Sequence, residues 1–215
     1  MMTYIKSHQQ LLILVALFNF ILSPLWHGIT FVPDSLITVI SFSLVILASL
    51  NATEEKSLRL MILSIGWTAL IVIWLEFIDC FPFPLSTVRM FFSLALFVLL
   101  FYILIRKVLQ TEKIHLEVII SVMSGFILLG IVGGVCFEFL DYFAPDSLLF
   151  TSPKSAYSFY YFSFINLTSV GFGDITPNSS QAQATTVLLG ILGQFYLAFG
   201  VSVFVGKYLS QKKST

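Results

Sequence analysis

The chain has 215 residues, of which 58% are hydrophobic and 10% are charged, and its formal net charge at pH 7 is zero. Its mean hydropathy is +0.97, whereas a soluble domain carries about 25% charged residues, so the composition excludes an ordinary soluble protein and predicts an integral protein of a lipid bilayer. A chain without net positive charge has no electrostatic attraction for nucleic acid, and we expect no nucleic-acid partner.

Six apolar stretches have lengths close to the roughly 17–25 residues that a helix needs to cross a bilayer. We therefore expect an all-α integral membrane protein with six transmembrane helices. The first stretch has a basic flank like that of a secretory signal peptide, but no small-residue cleavage site follows it, so we expect it to be retained. In chain order the stretches are Leu11–Trp26, Ser35–Leu50, Leu58–Ile78, Val88–Ile105, Leu116–Leu140 and Ala182–Tyr208.

The basic residues indicate the orientation of these helices. Cytoplasmic loops of membrane proteins carry an excess of lysine and arginine. Nine basic residues lie at the termini and in the second-to-third and fourth-to-fifth connections, whereas Arg89 and Lys154 lie on the opposite side. We expect a multi-pass protein of the cell (plasma) membrane with both termini in the cytoplasm. The nine residues are Lys6, Lys56, Arg59, Arg106, Lys107, Lys113, Lys207, Lys212 and Lys213.

The first four helices lack the pattern of a voltage sensor. A sensing helix carries several arginines at regular spacing, whereas the fourth stretch has Arg89 at one end and a basic pair at the other boundary. We expect these helices to form a bundle that is not a conventional voltage sensor. Glu76 and Asp79, one turn apart, could pair with Arg89 across a short loop or remain solvated at the interface.

The connection between the fifth and sixth helices contains a further apolar segment, Ala156–Leu167. Ser152 and Pro153 precede it and form a helix start signal, with serine as N-cap and proline at the first helical position. A helix of about 12–15 residues is too short to cross the membrane. We expect a re-entrant pore helix that enters the membrane and returns, with its C-terminal carbonyls favouring a cation.

This helix leads into a segment with the sequence Thr-Ser-Val-Gly-Phe-Gly-Asp, Thr168–Asp174, which we call the glycine segment. Gly171 and Gly173 each disfavour a helix by about 1 kcal/mol and tolerate positive φ angles. Non-helical backbone at membrane depth occurs only where it is buried in protein or lines a water-filled cavity. The glycine segment therefore predicts the wall of a pore.

An ion that enters a narrow pore must exchange its water for protein oxygens. The backbone carbonyls of Ser169, Val170, Gly171 and Phe172, with the Ser169 hydroxyl, would supply rings of ligands if several subunits met on an axis. Neutral oxygens suit a monovalent cation better than a divalent one. One chain contributes one loop, and fourfold symmetry is the natural way to close the ring.

The glycine segment resembles the signature of the tetrameric potassium channel family within the pore-loop ion channel superfamily, threonine-valine-glycine-tyrosine-glycine-aspartate. Tyr161 and Phe162 resemble the aromatic pair on that family's pore helix, and Gly193 lies at the position of its hinge glycine. The resemblance covers about residues 119–206 and is to small bacterial potassium channels with a six-helix subunit. It implies a homotetramer that conducts K⁺ passively, without enzymatic activity or any cofactor other than the permeant ion.

The resemblance also implies two domains along the chain. Residues 1–113 would form the four-helix transmembrane bundle, and residues 114–215 a pore domain with outer helix, pore helix, selectivity filter and inner helix. Few residues follow the sixth helix, so we expect no soluble regulatory domain in the chain. K⁺ coordination would fall on Ser169, Val170, Gly171 and Phe172, filter support on Thr168, Gly173, Asp174, Tyr161 and Phe162, and the gating hinge on Gly193.

Two departures from the family pattern concern selectivity. Ser169 replaces a threonine and loses the methyl group that restricts χ1, and Phe172 replaces a tyrosine and loses a bracing hydroxyl. A hydrogen bond from Tyr161 to Asp174 would compensate for the second loss. We expect a selective pore with a less stable filter, but a non-selective monovalent cation channel remains an alternative.

A second alternative is a transporter or signalling subunit built on a pore-like scaffold, although one glycine segment in the chain argues against it. A glycine-rich external loop is a simpler interpretation, but it does not explain the apolar helix before it. Four acidic residues would either make the outer mouth of the pore attractive to cations or serve only as solvated charges. They are Glu138, Asp141, Asp146 and Asp174.

Overall fold

A computed structural model describes residues 2–26, 34–50, 52–53, 55–78, 85–111 and 116–213. Within these ranges the chain is helical, as the sequence predicts, apart from turns and one short two-stranded sheet that the sequence analysis did not predict. The helices are α1 (Met2–Leu22), α2 (Asp34–Ser49), α3 (Lys56–Ile78), α4 (Ser86–Gln110), α5 (Leu116–Phe143), α6 (Ala156–Leu167) and α7 (Ser180–Lys213). A 3₁₀ turn, Ser23–Trp26, follows α1, and the strands are β1 (Leu148–Phe150) and β2 (Ile175–Pro177).

Five of the described helices are long and apolar enough to cross a membrane, namely α1 with its 3₁₀ turn, α3, α4, α5 and α7. The chain is therefore a multi-pass membrane protein. The second predicted span corresponds to α2, which has 16 residues and an apolar part, Leu36–Ser49, that is shorter than a typical span. Among the described residues five candidate spans are thus long enough, and a sixth remains a prediction.

The chain divides into two compact units, Met1–Ile127 and Leu128–Thr215, and the division falls inside α5. The border predicted from the sequence, between residues 113 and 114, lies among residues 112–115, which are outside the described part of the chain. The first unit contains α1–α4 and the beginning of α5. The second contains the rest of α5, both strands, α6 and α7.

Aromatic side chains join three helices of the first unit. Phe20 of α1 meets Phe42 of α2 edge-on, with ring centroids 5.0 Å apart. Phe42 in turn lies 5.3 Å from the ring of Phe97 on α4. The indole Nε1 of Trp74 on α3 donates to Ser43 Oγ at 3.2 Å, so these two polar groups within the apolar bundle are paired.

Charged residues of the first unit form ion pairs. Arg89 Nε donates to Glu76 Oε2 at 2.7 Å, so of the two alternatives left open for Glu76 the structure shows the ion pair rather than a solvated charge. Asp79, the other predicted partner, is outside the described residues. Near the opposite end of α4, Arg106 forms an ion pair of 2.7 Å with Glu55.

In the second unit, glycines of α5 allow α6 to approach closely. A Cβ atom at Gly134 would lie 2.4 Å from the ring of Tyr160 and 3.0 Å from its Cα. The Ser163 hydroxyl donates to the Gly130 carbonyl at 2.6 Å. The small residues thus let two helices pack with direct side chain-to-backbone contact, as in other membrane helix pairs.

The two strands of the sheet lie on either side of α6 and the glycine segment in the sequence. β1 precedes α6 and pairs in antiparallel fashion with β2, which begins immediately after Asp174. The register places Leu148 opposite Pro177 and Phe150 opposite Ile175. The strand pairing therefore holds together the two ends of the segment that contains α6 and the glycine segment.

The start of α6 differs from the prediction. The helix begins at Ala156 with Ser155 as N-cap, rather than at Pro153 with Ser152. The Ser155 amide donates to Ser158 Oγ at 3.1 Å, so Ser158 and Ser155 form the reciprocal cap. Pro153 lies in the loop before the cap, and the helix has 12 residues.

Candidate functional site

The backbone of the glycine segment alternates in conformation. Gly171 and Gly173 have φ angles of +54° and +78°, which confirms the positive φ expected of them. Ser169 also has a positive φ, +59°, which is uncommon for a residue with a side chain. Positive φ therefore recurs at every second residue, and the positions of the glycines alone did not predict it at Ser169.

Hydrogen bonds tie the beginning of the segment to the C-terminal end of α6. The amide of Val170 donates to the Ile165 carbonyl at 2.8 Å, and the amide of Ser169 donates to the Asn166 carbonyl at 3.0 Å. The hydroxyl of Thr168 donates to the Phe164 carbonyl at 2.7 Å. These bonds satisfy carbonyl groups that the last turn of a helix leaves without an intrahelical partner.

Two apolar side chains of the segment are uncovered within the single chain. Val170 is 53% exposed and Phe172 is 71% exposed. Both alternate with the residues of positive φ. In a membrane protein, exposed apolar side chains are covered either by lipid or by another protein chain.

The end of the segment is held at Asp174. Its carbonyl accepts a hydrogen bond of 3.0 Å from the Thr151 amide, beside the β1–β2 sheet. A hydrogen bond between the Tyr161 side chain and Asp174 is the main cause that raises the pKa of Tyr161. The structure thus places Tyr161 next to Asp174, and the bracing role expected of this pair stays a prediction. The carboxylate oxygen Oδ1 is buried without a hydrogen-bond partner among the described residues.

Phe162, the second aromatic residue expected to support the site, lies in the core of the second unit. It is buried, and its ring is 4.7 Å from that of Phe137 on α5. Phe162 therefore anchors α6 to α5, while its neighbour Tyr161 faces Asp174. The two residues thus contact different neighbours, and their support of the segment stays a prediction.

Gly193 lies against the end of α6. A Cβ atom at this position would be 2.2 Å from the Leu167 carbonyl oxygen, far inside any permitted contact. Helix α7 continues through Gly193 without a break. The structure therefore gives Gly193 a close-packing role, and the gating-hinge role stays a prediction.

One contact to the glycine segment was not predicted from the sequence. Gln194 Nε2 donates to Ser169 Oγ at 2.8 Å, from α7 to the segment 25 residues earlier. An amide side chain in an otherwise apolar stretch of α7, directly after Gly193, was the available signal. Strands β1 and β2 were also missed, because three-residue strands carry no detectable periodicity.

Two of the four acidic residues considered for the outer mouth are not exposed as solvated charges would be. Glu138 and Asp141 are buried, 8% and 7% exposed. Asp141 forms an ion pair with Lys154, so its charge is balanced within the chain. Asp146 is exposed, and Asp174 is half-buried beside Tyr161.

The described residues contain no group of three or more histidine, cysteine, aspartate or glutamate side chains that could hold a metal ion. Cys136 is half-buried and not in a disulfide, whereas Cys80 lies outside the described residues. The glycine segment offers backbone carbonyls and the hydroxyls of Thr168 and Ser169 instead. Its chemistry is that of neutral carbonyl and hydroxyl oxygens.

Comparison with known proteins identifies the second unit. No curated protein and no solved structure matches the chain. Residues 124–210 match the family model described as "Ion channel". The matched range contains most of α5, both strands, α6, the glycine segment and α7 up to residue 210, which are the elements that build the site. Over residues 124–210 the chain is therefore similar to the ion channel family.

Proposed function

We propose that the chain is the subunit of a potassium-selective channel that conducts K⁺ passively through a homotetrameric pore. The observation that carries the proposal is the positive φ at Ser169, Gly171 and Gly173, in a segment attached to the end of a short helix. Alternation of left-handed and other conformations can direct successive carbonyls to one side. Carbonyls arranged in this way replace the hydration shell of K⁺ in channel filters.

The proposed ligands are the carbonyl oxygens of Ser169, Val170, Gly171 and Phe172, together with the Ser169 hydroxyl. They are neutral, and a divalent cation prefers carboxylate ligands. The segment itself carries one acidic side chain, Asp174, which is engaged with Tyr161. The donor set thus favours a weakly hydrated monovalent cation.

Fourfold assembly would complete the site. One chain supplies one glycine segment with its ligand oxygens. A closed ring of ligands therefore needs several copies of the chain around an axis. The exposure of Val170 and Phe172 supports this step, because both side chains alternate with the residues of positive φ and need a neighbour to cover them. The unpartnered Asp174 Oδ1 supports it as well, since buried polar atoms normally have a partner.

The proposed placement in the membrane follows from element lengths. Helix α6 has 12 residues, about 18 Å at 1.5 Å per residue, and cannot cross a bilayer core of about 30 Å. It would enter the membrane from the outer side and return through the glycine segment. Residues 1–113 would form a bundle of four spans, with both termini in the cytoplasm and the protein in the cell membrane.

The proposal is tested with purified protein in liposomes. A K⁺ gradient should drive K⁺ flux that Ba²⁺ blocks, and native mass measurement should give four chains of 24.2 kDa each. Reversal potentials in opposed K⁺ and Na⁺ gradients separate the alternatives. A reversal potential that is the same for both ions would support a non-selective cation channel, and a monomeric or dimeric mass without flux would support a non-channel subunit.

A further inference from the structure

The side chain of Gln194 bonds to the residue proposed as the first K⁺ ligand of the filter. Its Nε2 donates to Ser169 Oγ at 2.8 Å. Both residues are exposed in the single chain, so the bond is not imposed by burial of either side chain. It joins the inner helix directly to the ligand-bearing segment.

The packing at Gly193 makes this bond possible. Because Gly193 has no Cβ, α7 approaches the Leu167 carbonyl at the end of α6. Leu167 precedes Ser169 by two residues, and Gln194 follows Gly193 directly. The close approach of the two backbones therefore brings the amide of Gln194 within reach of the serine hydroxyl.

The bond restricts a side chain that is otherwise free to rotate. Serine lacks the second branch at Cβ that stiffens χ1 of threonine, so its hydroxyl would occupy several rotamers. A hydroxyl oxygen has two acceptor lone pairs. A donated amide hydrogen occupies one of them and leaves the other for a cation.

We infer that Gln194 is a specificity-determining positioning residue, which holds the Ser169 hydroxyl in the orientation that a dehydrated K⁺ requires. It substitutes for the methyl group of a threonine by restricting the same torsion from outside. The inference rests on the proposed potassium-channel function. It assigns to α7 a role in ion selectivity in addition to its role as the inner helix.

The test is a double-mutant cycle on selectivity in liposomes or planar bilayers. Gln194→Met keeps the length of the side chain and removes the donor. In the wild-type background it should raise the Na⁺/K⁺ permeability ratio about two- to tenfold, the range expected for one neutral hydrogen bond. In the Ser169→Thr background the same change should alter the ratio less than about twofold, because the threonine methyl already restricts χ1.

Two further variants make the result specific. Gln194→Asn keeps the amide but is one methylene too short for the bond, and should act like Gln194→Met even if the methionine variant fails to assemble. Gln183→Met makes the same chemical change at an exposed position in the first turn of α7, and should leave selectivity unchanged.

The possible outcomes separate the inference from the proposed function. An unchanged permeability ratio in Gln194→Met and Gln194→Asn, with a K⁺-selective wild type, would overturn the role of Gln194 alone. Equal shifts in the wild-type and Ser169→Thr backgrounds would overturn it too, since Gln194 would then act without the serine. A wild type that passes no K⁺ would overturn the proposed function and the inference with it.

Discussion

The ammonium group of Lys154 forms an ion pair with the carboxylate of Asp141, linking the last turn of α5 to the loop before α6. The two side chains differ in burial, since that of Asp141 is 8% exposed and that of Lys154 is 48% exposed. Lys154 also lies over the rings of Phe150 and Phe159, 5.9 and 5.3 Å from their centroids. The lysine thus balances a buried charge while it covers aromatic surface.

This difference in burial predicts an asymmetric response to mutation. Lys154→Met leaves a buried carboxylate without its partner, which is costly, whereas Asp141→Asn leaves an ammonium group that water can solvate. We expect Lys154→Met to destabilise the protein by roughly 1–3 kcal/mol, less than for a fully buried pair because the lysine is half-exposed. Asp141→Asn should cost less than half as much in thermal unfolding of the detergent-solubilised protein.

The double variant Lys154→Met/Asp141→Asn is the internal control. It removes the unpaired charge, and its stability should lie above that of Lys154→Met. Equal destabilisation by the two single variants would show that the pair behaves as a surface salt bridge. The burial of Asp141 would then not affect the stability lost when its partner is removed.

The second prediction compares two glycines of α7. Gly193→Ala places a Cβ 2.2 Å from the Leu167 carbonyl oxygen, whereas Gly190→Ala meets no atom closer than Asn166 O at 3.8 Å. We expect Gly193→Ala to lose about 1–3 kcal/mol by overpacking. Gly190→Ala should be neutral or gain up to about 1 kcal/mol from helix propensity.

Thermal unfolding and the yield of assembled protein measure this difference, and single-channel recording measures gating. If Gly193 acts only as a hinge, its alanine variant will assemble normally with an altered open probability. Loss of assembled protein in Gly193→Ala but not in Gly190→Ala indicates that close packing is its main role.

The sequence predicted most helices because their signals are local. Apolar runs and flanking basic residues place α3–α5 and α7 to within a few residues at most ends, and two glycines in one short segment exclude a helix there. The start of α6 was placed three residues too early because Ser152 and Ser155 are equally good N-caps by residue type. The choice of Ser155 depends on its contact with Ser158, which only the folded loop shows.

Long-range contacts around the site could not be predicted from residue types. The Gln194–Ser169 bond joins positions 25 residues apart and depends on the missing Cβ of Gly193. Strands β1 and β2 have three residues each. They form because the tertiary fold brings the segments before α6 and after Asp174 side by side, not because either has a strand-like sequence pattern. By contrast, the Tyr161–Asp174 bond was predictable, because a family resemblance supplied the pairing that the sequence spacing does not.

The third prediction isolates the effect of backbone conformation in the glycine segment. A Cβ atom would meet nothing within 4 Å at Gly171 or at Gly206. Gly171 has a φ of +54°, at which an L-residue costs about 1–2 kcal/mol, whereas Gly206 lies in helix α7, where alanine is favoured. Gly171→Ala should therefore abolish K⁺-selective flux in liposomes, and Gly206→Ala should retain it.

Because both positions have open space, steric crowding within the chain cannot explain a difference between the two variants. Retention of selective flux in Gly171→Ala would show that the left-handed conformation at this residue is not needed for conduction. The assembled mass of each variant, measured in detergent, shows whether a loss of flux reflects the pore or the assembly.

The fourth prediction concerns the pH dependence of the Tyr161–Asp174 contact. A hydrogen bond to Asp174 raises the pKa of Tyr161 above its usual value of 10.0. The native protein then holds the phenolic proton to higher pH than the unfolded chain does. The stabilisation by this contact is fully present below pH 10 and is lost as the pH rises through the raised pKa.

Tyr161→Phe removes the group that titrates. The variant should be less stable than the wild type by a constant amount at neutral pH, and the difference should shrink above pH 10 as the wild type loses the bond. Unfolding temperatures of both proteins across this range give the measurement. Tyr142→Phe, which removes a hydroxyl from an exposed tyrosine of the same unit, should keep the alkaline loss of stability. A wild-type and Tyr161→Phe difference that stays constant through the alkaline range would mean that the phenol contributes to packing but not to a hydrogen bond with Asp174.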